Sequence, residues 1–255
     1  MLKNTKISII IPTLNDEYNL KRLFASVEEE KNYNKKFEVL VVDSCSTDGT
    51  EELCKTKPYI RYIRQKSKPG KARNIGIQKS LTENIVMLDA DTEITPSWYH
   101  AVVDGLKHYP IVAGYSPDPE GKQMPRVPAY VYGQDITWPQ CNIAYRRGIF
   151  PLIGYLREDM FCAEDCEFHY RCAQAGLVIL YHPHMKVWHY ERPTRKQWIK
   201  KQIKNGYGRY ELNRVHPDLK TEHQHGLSPK QLVRLGLGAI GYLKAMTGAQ
   251  GSDKV

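Results

Sequence analysis

The sequence predicts an α/β fold in which a doubly wound, mostly parallel sheet is flanked by helices and followed by a basic C-terminal helical appendage. Three observations lead to this prediction. Short apolar runs alternate with segments of helical periodicity in the first half of the chain, as in parallel strands joined by crossover helices. The 255 residues, 41% of them hydrophobic, suffice for one sizeable core with an appendage. Excess positive charge is confined to the last quarter.

The predicted elements follow one another in a regular order. Apolar runs predict strands at residues 6–12, 37–42, 59–64 and 84–88. Amphipathic segments predict helices at residues 17–30, 47–55, 70–80 and 96–109. Further along, we expect a proline-rich loop at 117–128, a strand at 141–147, a helix at 163–175, strands at 178–181 and 185–188, and a basic helix at 194–206.

Polar segments follow three of the predicted strands, at residues 13–17, 43–48 and 89–91. In open α/β sheets, ligands bind beyond the carboxyl ends of the strands, so these segments are expected to converge. Asp89 and Asp91 follow a wholly apolar strand and offer two carboxylates one residue apart. Oxygen ligands of this kind suit Mg²⁺ or Mn²⁺. An isolated Asp-x-Asp more often marks a turn, but the convergence favours a ligand site.

The charge of the chain is unevenly distributed. Residues 1–185 carry 23 basic and 23 acidic residues, whereas residues 186–255 carry 14 basic and 5 acidic ones. A basic appendage on a neutral body indicates an anionic partner, such as phospholipid headgroups, a phosphorylated acceptor or nucleic acid. The alternative is a solvated basic surface that aids solubility.

The end of the chain predicts one more helix, starting at Ser228 and Pro229 and running through Met246. Its basic residues fall on a narrow face, and apolar residues fill a broad opposite face. This pattern is typical of a helix lying in a membrane interface. A helix packed on the protein body or on another subunit would show it equally.

Signals for secretion or membrane spanning are not expected. The chain runs from Met1 into a strand without an apolar leader region, and no stretch approaches the ~20 apolar residues of a spanning helix. The six scattered cysteines predict reduced thiols rather than a disulfide framework. Cys162, Cys166, His169 and Cys172 suggest zinc, but they contain no Cys-x₂-Cys pair. We expect a cytoplasmic protein, with peripheral association at the cytoplasmic membrane face as a hypothesis.

Five segments carry more information when taken in order. They are residues 11–17 (IPTLNDE), 42–50 (VDSCSTDGT), 70–76 (GKARNIG), 88–91 (LDAD) and 163–167 (AEDCE). Across roughly residues 6–190, this ordered set resembles the motifs of the family 2 glycosyltransferases, which have the GT-A fold. Ser44 and Cys45 replace an Asp and a Gly of the commonest second motif, whereas Asp43 is kept.

The resemblance implies a GT-A nucleotide-sugar-binding and catalytic domain at residues 1–190 and a basic helical region at 191–255. It implies metal-dependent, inverting transfer of a hexose-type sugar from a UDP- or GDP-linked donor. The acceptor would be the hydroxyl of a glycan or a lipid-linked molecule, as in glycan or lipid-linked oligosaccharide assembly.

The resemblance also assigns the metal site and the base. Asp91 is expected to be the main ligand of Mn²⁺ or Mg²⁺, and Asp89 to lie on the ribose or metal side. His189 falls where some members place a third metal contact, although a lone histidine is more often structural. A cation there would stabilise the charge on the departing diphosphate. Asp165 is expected to be the general base that takes the proton of the acceptor hydroxyl.

The nucleotide is expected at the ends of the first two strands. The expected base pocket consists of Pro12, Thr13, Asn15 and Asp43. Asp43 can accept a hydrogen bond from a ring N–H of the base. Arg73 is expected to contact the base or the diphosphate. Glu17 is either a nucleotide contact or a carboxylate favoured by the helix dipole, and Asp48 is expected to cap the following helix.

The acceptor side is expected to include Glu164, Trp138 and Asn142. Trp138 either stacks on a sugar or fills the core. Glu164 opens the same predicted helix as Asp165. A helix N-terminus favours ionised carboxylates and would make Asp165 a weaker base, unless burial or neighbouring acids oppose the effect.

Other classes fit the sequence less well. A sugar-phosphate nucleotidyltransferase normally has a glycine-rich loop after its first strand, where this chain reads PTLN. A dinucleotide dehydrogenase is disfavoured because no G-x-G-x-x-G follows that strand. A non-catalytic anion-binding protein is compatible with the basic end. Nucleic acid is not an expected partner, because no recognised binding motif is present and the carboxylates would repel phosphates without a metal.

Overall fold

The computed structural model describes residues 6–30, 37–123, 126, 128–190, 194–219 and 229–247, with the backbone alone for 229–232. Within this part of the chain there are ten strands. They are β1 (Ile7–Thr13), β2 (Phe37–Asp43), β3 (Ile60–Arg64), β4 (Asn84–Leu88), β5 (Thr92–Ile94), β6 (Ile111–Tyr115), β7 (Tyr130–Val131), β8 (Gln134–Asp135), β9 (Asn142–Arg146) and β10 (Ile179–His189).

Eight helices accompany the strands in the described residues. They are α1 (Glu17–Glu29), α2 (Thr50–Lys55), α3 (Pro69–Lys79), α4 (Trp98–His108), α5 (Ile149–Ile153), α6 (Glu164–Gln174), α7 (Arg195–Val215) and α8 (Pro229–Met246). Most predicted elements are therefore present, with ends that differ by a few residues. The basic helix predicted at 194–206 continues to Val215.

Eight strands form one sheet in the order β3-β2-β1-β4-β9-β6-β10-β5, and β7 pairs with β8. The first four strands in this order pair in parallel, as do β6 and β10. β9 is antiparallel to both of its neighbours, and β5 is antiparallel to β10. The prediction of a mostly parallel sheet flanked by helices is confirmed.

Three details of the sheet differ from the sequence prediction, the first being the unpredicted short strand β5. The strands predicted at 178–181 and 185–188 are a single strand, β10, whose pairing with β6 is irregular between His182 and Lys186. The pattern did not predict β6, which contains Gly114, a residue that weakens strand interiors. The glycine is needed because a Cβ there would lie 2.1 Å from Asn142 Nδ2 and 2.3 Å from the Met185 carbonyl oxygen.

The core lies on both faces of the sheet. Side chains of β1 alternate between the faces, so that Ile9 packs with α1 and α4 while Ile10 packs with α3, α5 and α6. Phe24 and Trp98 fill the first face, and Phe168 fills the second. All are essentially fully buried, and burial of such side chains contributes roughly 1.5–3 kcal/mol each. This packing fixes the carboxyl ends of the strands at one edge.

The last two helices pack against each other through glycines. Thr194 and Gln197 form a capping box that begins α7. A Cβ on Gly206 would lie 1.7 Å from the carbonyl oxygen of Gly238, and one on Gly241 would lie 1.9 Å from that of Ile203. Backbone therefore meets backbone along this helix pair. Among the described residues, no helix is long and apolar enough to cross a bilayer.

Candidate active site

Asp89, Asp91 and His189 come together at the edge of the sheet and are called the metal group below. β4 ends just before the two aspartates, and antiparallel pairing of β10 with β5 sets His189 opposite Thr92. His189 Nε2 lies 3.2 Å from Asp91 Oδ1. One ligand atom from each of the three residues lies within 4.8 Å of the others. The structure thus brings together the three residues expected to hold a metal.

The electrostatics of the metal group favour an ionised Asp91. Burial raises the pKa of Asp91, but the hydrogen bond and charge of His189 outweigh it, so that the pKa lies below its ordinary value. The chemistry of the set also fits a divalent cation, since carboxylates suit Mg²⁺ and Mn²⁺ and imidazole is a common metal ligand.

Arg73 lies between the metal group and the start of α6. Its guanidinium is buried, with Nη2 3.1 Å from Asp89 Oδ1 and Nη1 2.8 Å from Glu164 Oε1. Its Nε is buried and has no hydrogen-bond acceptor within the described part of the chain. Arg73 was expected to contact the base or diphosphate. In this structure two of its nitrogens bind protein carboxylates, so it links two groups of site residues.

Glu164 and Asp165 begin α6, directly after Ala163, whose φ of 63° is left-handed. Burial raises the pKa of Asp165, and the N–H of Cys166 and the charge of Arg73 oppose this only in part. Burial and the neighbouring Asp165 likewise raise the pKa of Glu164. Burial therefore outweighs the helix N-terminus, which by itself would make Asp165 a weaker base.

The loops after β1 and β2 are tied to each other. Asp43 is fully buried and accepts hydrogen bonds from Ser46 and from the hydroxyl of Tyr62. Asn15, in a left-handed conformation at φ 56°, accepts from the N–H of Thr47 at 2.8 Å and donates its own N–H to Ser46. Asp43 and Asn15 thus hold these loops in place, and their contact with a nucleotide stays a prediction.

The remaining nucleotide candidates lie beside these loops. Pro12 and Thr13 end β1, and the buried Thr13 hydroxyl has no partner among the described residues. The Glu17 carboxylate pairs with Lys21 on α1 at 2.6 Å, which fits the interpretation as a first-turn carboxylate. Asp48 accepts from the N–H groups of Thr50 and Glu17, both at 3.1 Å. Its carboxylate thus satisfies the first N–H of α1 and of α2, although Gly49 rather than the expected Asp48 is the N-cap residue of α2.

Two residues expected on the acceptor side have protein contacts of their own. The Trp138 ring stacks on Tyr181 with ring centroids 5.2 Å apart, and the Arg126 guanidinium lies 3.9 Å from its centroid. Asn142 is 2% exposed, accepts from Trp98 Nε1 at 3.0 Å and donates to the Met185 carbonyl at 2.7 Å. The structure does not bring the Asn142 side chain to the surface. A sugar contact for Trp138 stays a prediction.

A buried polar network behind α6 was missed by the sequence analysis. The hydroxyl of Tyr145 lies 2.8 Å from His169 Nε2, whose ring Nδ1 lies 3.2 Å from the carbonyl oxygen of Ile136. Gln140 Nε2 donates to the Tyr145 hydroxyl at 2.7 Å. These bonds fix a neutral His169 with the proton on Nδ1. Because both ring nitrogens of His169 are engaged in these bonds, neither is available to bind zinc together with Cys162, Cys166 and Cys172.

Glu211 of α7 was also missed. Its buried carboxylate accepts from the N–H groups of Phe161 and Cys162 at 2.9 and 3.3 Å. One signal was available, since Glu211 is the single acidic residue of an otherwise basic helix. A lone acid in such a helix indicates a specific partner, but the sequence does not show which.

Comparison with known proteins places the chain in a family. Residues 8–160, more than half of the chain, match the family described as Glycosyl transferase family 2. The chain belongs to glycosyltransferase family 2. The match includes the first four motifs and ends just before Glu164 and Asp165.

Several glycosyltransferases match over part of the chain. An uncharacterized glycosyltransferase of Rickettsia conorii is 37% identical over 99 residues, which are 36% of this chain and 15% of that protein. The poly(ribitol-phosphate) beta-N-acetylglucosaminyltransferase TarS of Staphylococcus aureus is 32% identical over 95 residues, 35% of this chain and 17% of that protein. The matches thus span less than one fifth of either relative.

Solved structures match over nearly the whole chain. The S. aureus TarS 1-349 structure in complex with UDP-GlcNAc has a TM-score of 0.65 and 19% identity, covering 98% of this chain and 74% of that one. Mannosyltransferase PcManGT from Pyrobaculum calidifontis, in complex with GDP-Man and Mn²⁺, has a TM-score of 0.64 and 16% identity, covering 98% and 77%. At these identities the likeness shows the fold, which is the GT-A fold of the family 2 enzymes.

Proposed function

We propose that this family 2 protein is a metal-dependent, inverting glycosyltransferase that moves a hexose-type sugar from a UDP- or GDP-linked donor to an acceptor hydroxyl. The acceptor is proposed to be a glycan or a lipid-linked molecule, in glycan or lipid-linked oligosaccharide assembly. One observation carries the proposal: Arg73 connects the metal group to Glu164, the neighbour of Asp165 in the chain. The bound UDP-GlcNAc and GDP-Man of the two solved structures support the donor class.

Asp89, Asp91 and His189 would hold Mn²⁺ or Mg²⁺. Bound there, the cation would neutralise charge on the diphosphate as it leaves. The close approach of the three ligand atoms supports this role, and the Mn²⁺ of the Pyrobaculum calidifontis structure supports the choice of metal.

Asp165 is proposed as the general base. It takes the proton of the acceptor hydroxyl while that oxygen bonds to the anomeric carbon, and the bond from this carbon to the diphosphate oxygen breaks on the opposite face. One displacement of this kind inverts the anomeric configuration. The raised pKa of Asp165 supports the role, because a base works best when its pKa approaches the working pH.

The nucleotide and acceptor contacts are also proposals. The base would lie against Pro12, Thr13, Asn15 and Asp43, near Glu17, and the ribose near Asp89. The buried, unpartnered hydroxyl of Thr13 supports this placement. We propose that Glu164, Trp138 and Asn142 lie on the acceptor side of the site. Asn142 would act there through the backbone it holds, since its side chain is buried.

We further place the protein in the cytoplasm, at an anionic membrane surface that it meets through α8. Four large apolar residues on one side of α8, each 45–60% exposed, form its outer face: Val233, Ile240, Leu243 and Met246. At about 100° per residue they lie opposite Gly238, Gly241 and Ala245, which are buried against α7.

The charges of the two helices favour anionic lipid over a second copy of the chain. α7 and α8 together carry ten Lys and Arg, of which Arg234 is buried, and one acidic residue, the buried Glu211. Each basic residue near an anionic surface contributes about 1 kcal/mol of attraction, whereas two copies would repel each other. An apolar face beside such charge is typical of interfacial helices.

Vesicle sedimentation tests the membrane proposal. The protein should bind phosphatidylglycerol vesicles at low salt and remain free of phosphatidylcholine vesicles, and Leu243→Asp should weaken binding at least tenfold. Asn205→Asp, which adds the same charge at an exposed position of α7, should have a much smaller effect. Equal binding of Leu243→Asp, or a stable dimer in light scattering that Leu243→Asp dissociates, would overturn this placement.

Thermal unfolding with nucleotides tests the enzymatic proposal. UDP, GDP, UDP-GlcNAc and GDP-mannose are each added with and without Mn²⁺ to the wild type and to Asp91→Ala. A ligand at a hundredfold excess over its Kd stabilises by ~2.7 kcal/mol, so one nucleotide should raise the Tm in a Mn²⁺-dependent way. Asp91→Ala should lose this shift, and Asp104→Ala, exposed on α4, should keep it. No shift with any nucleotide would contradict the proposal.

A further inference from the structure

Helix α7 holds the segment that leads into α6. This entry segment, residues 159–163, has no regular hydrogen bonding of its own. Glu211 Oε2 accepts the N–H groups of Phe161 and Cys162 at 2.9 and 3.3 Å. The Cys162 thiol donates to the carbonyl oxygen of Lys204 at 3.2 Å. The Phe161 ring meets Tyr207 edge to face, with ring centroids 5.8 Å apart.

α7 packs closely against the end of the entry segment. A Cβ on Gly208 would lie 2.9 Å from both Cys162 Sγ and Ala163 Cβ. One turn further, Glu211 is 7% exposed, so its carboxylate depends on the two backbone N–H groups rather than on water. Hydrogen bonds to an ionised acceptor are roughly twice as strong as neutral ones. Glu211 is thus a specific anchor rather than a surface charge.

The segment must hold an unfavourable backbone conformation. Ala163 has a φ of 63°, a left-handed conformation that is unfavourable for a residue other than glycine. Such a residue persists where the surroundings determine it. Ala163 directly precedes Glu164 and Asp165, so its conformation sets the direction from which both carboxylates enter the site.

We infer that Glu211 is a positioning residue for Asp165, acting through the Phe161 and Cys162 backbone without touching the reacting atoms. This inference rests on the proposed role of Asp165 as base. It makes α7 part of the catalytic assembly, although the sequence assigned residues 191–255 to a separate basic region. A second contact supports it, since His216 at the end of α7 lies 3.0 Å from Glu167 of α6.

Two variants separate the hydrogen bonds from the size of the side chain. Glu211→Gln keeps an oxygen that can accept both N–H groups, whereas Glu211→Leu keeps the bulk and removes the acceptor. Asn205→Leu, at an exposed position of the same helix, is the matched control. Amide hydrogen exchange of the entry segment is measured first, because it does not depend on catalysis. We expect exchange at least tenfold faster in Glu211→Leu, and wild-type exchange in Glu211→Gln and Asn205→Leu.

Hydrolysis of UDP-GlcNAc or GDP-mannose, in which water takes the place of the acceptor, gives the second measurement. Glu211→Leu should lower kcat at least tenfold with the donor KM within twofold, and Glu211→Gln should restore kcat. Faster exchange with an unchanged kcat would overturn the positioning role, and unchanged exchange would overturn the anchor itself. If the wild type turns over neither donor and binds no nucleotide, the proposed enzymatic function fails, whereas the exchange result still decides the anchor.

Discussion

The guanidinium of Arg73 joins Glu164 to Asp89, with nitrogen–oxygen distances of 2.8 and 3.1 Å. The two acids come from different elements, the start of α6 and the end of β4, and the arginine comes from α3. Its charge lies between the buried carboxylate of Glu164 and that of Asp89, whose side chain is 38% exposed. The relative position of the metal group and the proposed base therefore depends on one side chain.

Replacing Arg73 is expected to destabilise the fold as well as the site. Arg73→Met leaves the buried Glu164 carboxylate without its counterion, and loss of one partner of a buried pair costs about 3–5 kcal/mol. Asp89 adds little to this cost because its side chain is 38% exposed and solvent screens its charge. Arg73→Lys should recover little of this, since one ammonium cannot replace the planar fork that bridges both acids. The free energy of unfolding in urea measures the effect. Lys66→Met, at an exposed position before α3, should change it by less than about 0.5 kcal/mol.

Asp165→Asn should abolish proton removal with little change in donor binding. General-base catalysis typically contributes about 10²–10⁴-fold, so kcat for donor hydrolysis should fall by that factor while the nucleotide-induced Tm shift remains. Asp104→Asn, an exposed acid on α4, serves as control. A variant that loses kcat and nucleotide binding together would instead place Asp165 among the binding residues.

The pH dependence of kcat should reflect the burial of Asp165. Because burial raises the pKa of Asp165, the ionised base is lost on acidification at a higher pH than for an ordinary aspartate. The acid limb of kcat should therefore lie above the ordinary Asp pKa of about 3.9. An acid limb at or below that value would mean that the site does not raise the pKa of Asp165.

His169 should make the fold sensitive to acid. Burial lowers the pKa of His169 from 6.5 to about 4, so the unfolded chain binds a proton between these values that the native state does not. Stability therefore falls as the pH drops through this window, by on the order of 3 kcal/mol. Urea unfolding from pH 7 to pH 4 measures the slope, and His169→Gln should reduce it. Replacing the exposed His100 in the same way should leave the slope unchanged.

The contact between α7 and α8 can be tested with two glycines. In Gly206→Ala the added methyl carbon would lie 1.7 Å from the carbonyl oxygen of Gly238. This overlap should separate the two helices and expose α8 to proteolysis. Gly236→Ala meets nothing within 4 Å and should stabilise by roughly 0.5–1 kcal/mol through helix propensity. Equal proteolysis rates in the two variants would show that the close contact is not maintained in solution.

The fold was predictable because its signals are local. The apolar runs that became β1, β2 and β4 and the periodic segments that became α1, α4 and α6 each carry their own pattern. The metal group was expected from motif order, since strand ends converge in this type of sheet. β6 was missed because it contains Gly114, which disfavours a strand. The glycine is required by the close approach of Asn142 and Met185, which only the tertiary structure brings near.

The partners of buried polar groups were not predictable in the same way. Arg73 was expected to contact the base or the diphosphate of a nucleotide. Instead it contacts Asp89 and Glu164, which lie 16 and 91 residues away from it in the chain. The same applies to Glu211, 50 residues from Phe161, and to the Tyr145–His169 bond. Such pairs obey no periodicity, because what selects them is the need to satisfy each buried donor and acceptor.

The place of β9 in the sheet has a consequence for synthesis on the ribosome. β9 lies between β4 and β6 although it follows both in the chain, so the centre of the sheet stays open until residue 146 has emerged. Until then β4, which is apolar from Ile85 to Leu88, presents a free edge that is prone to wrong pairing. The metal group is completed still later, because His189 is the last residue of β10 and reaches the two aspartates only when β10 pairs with β5. A nascent chain would thus carry both aspartates for about a hundred residues before their third partner arrives, a period in which chaperone contact should be greatest.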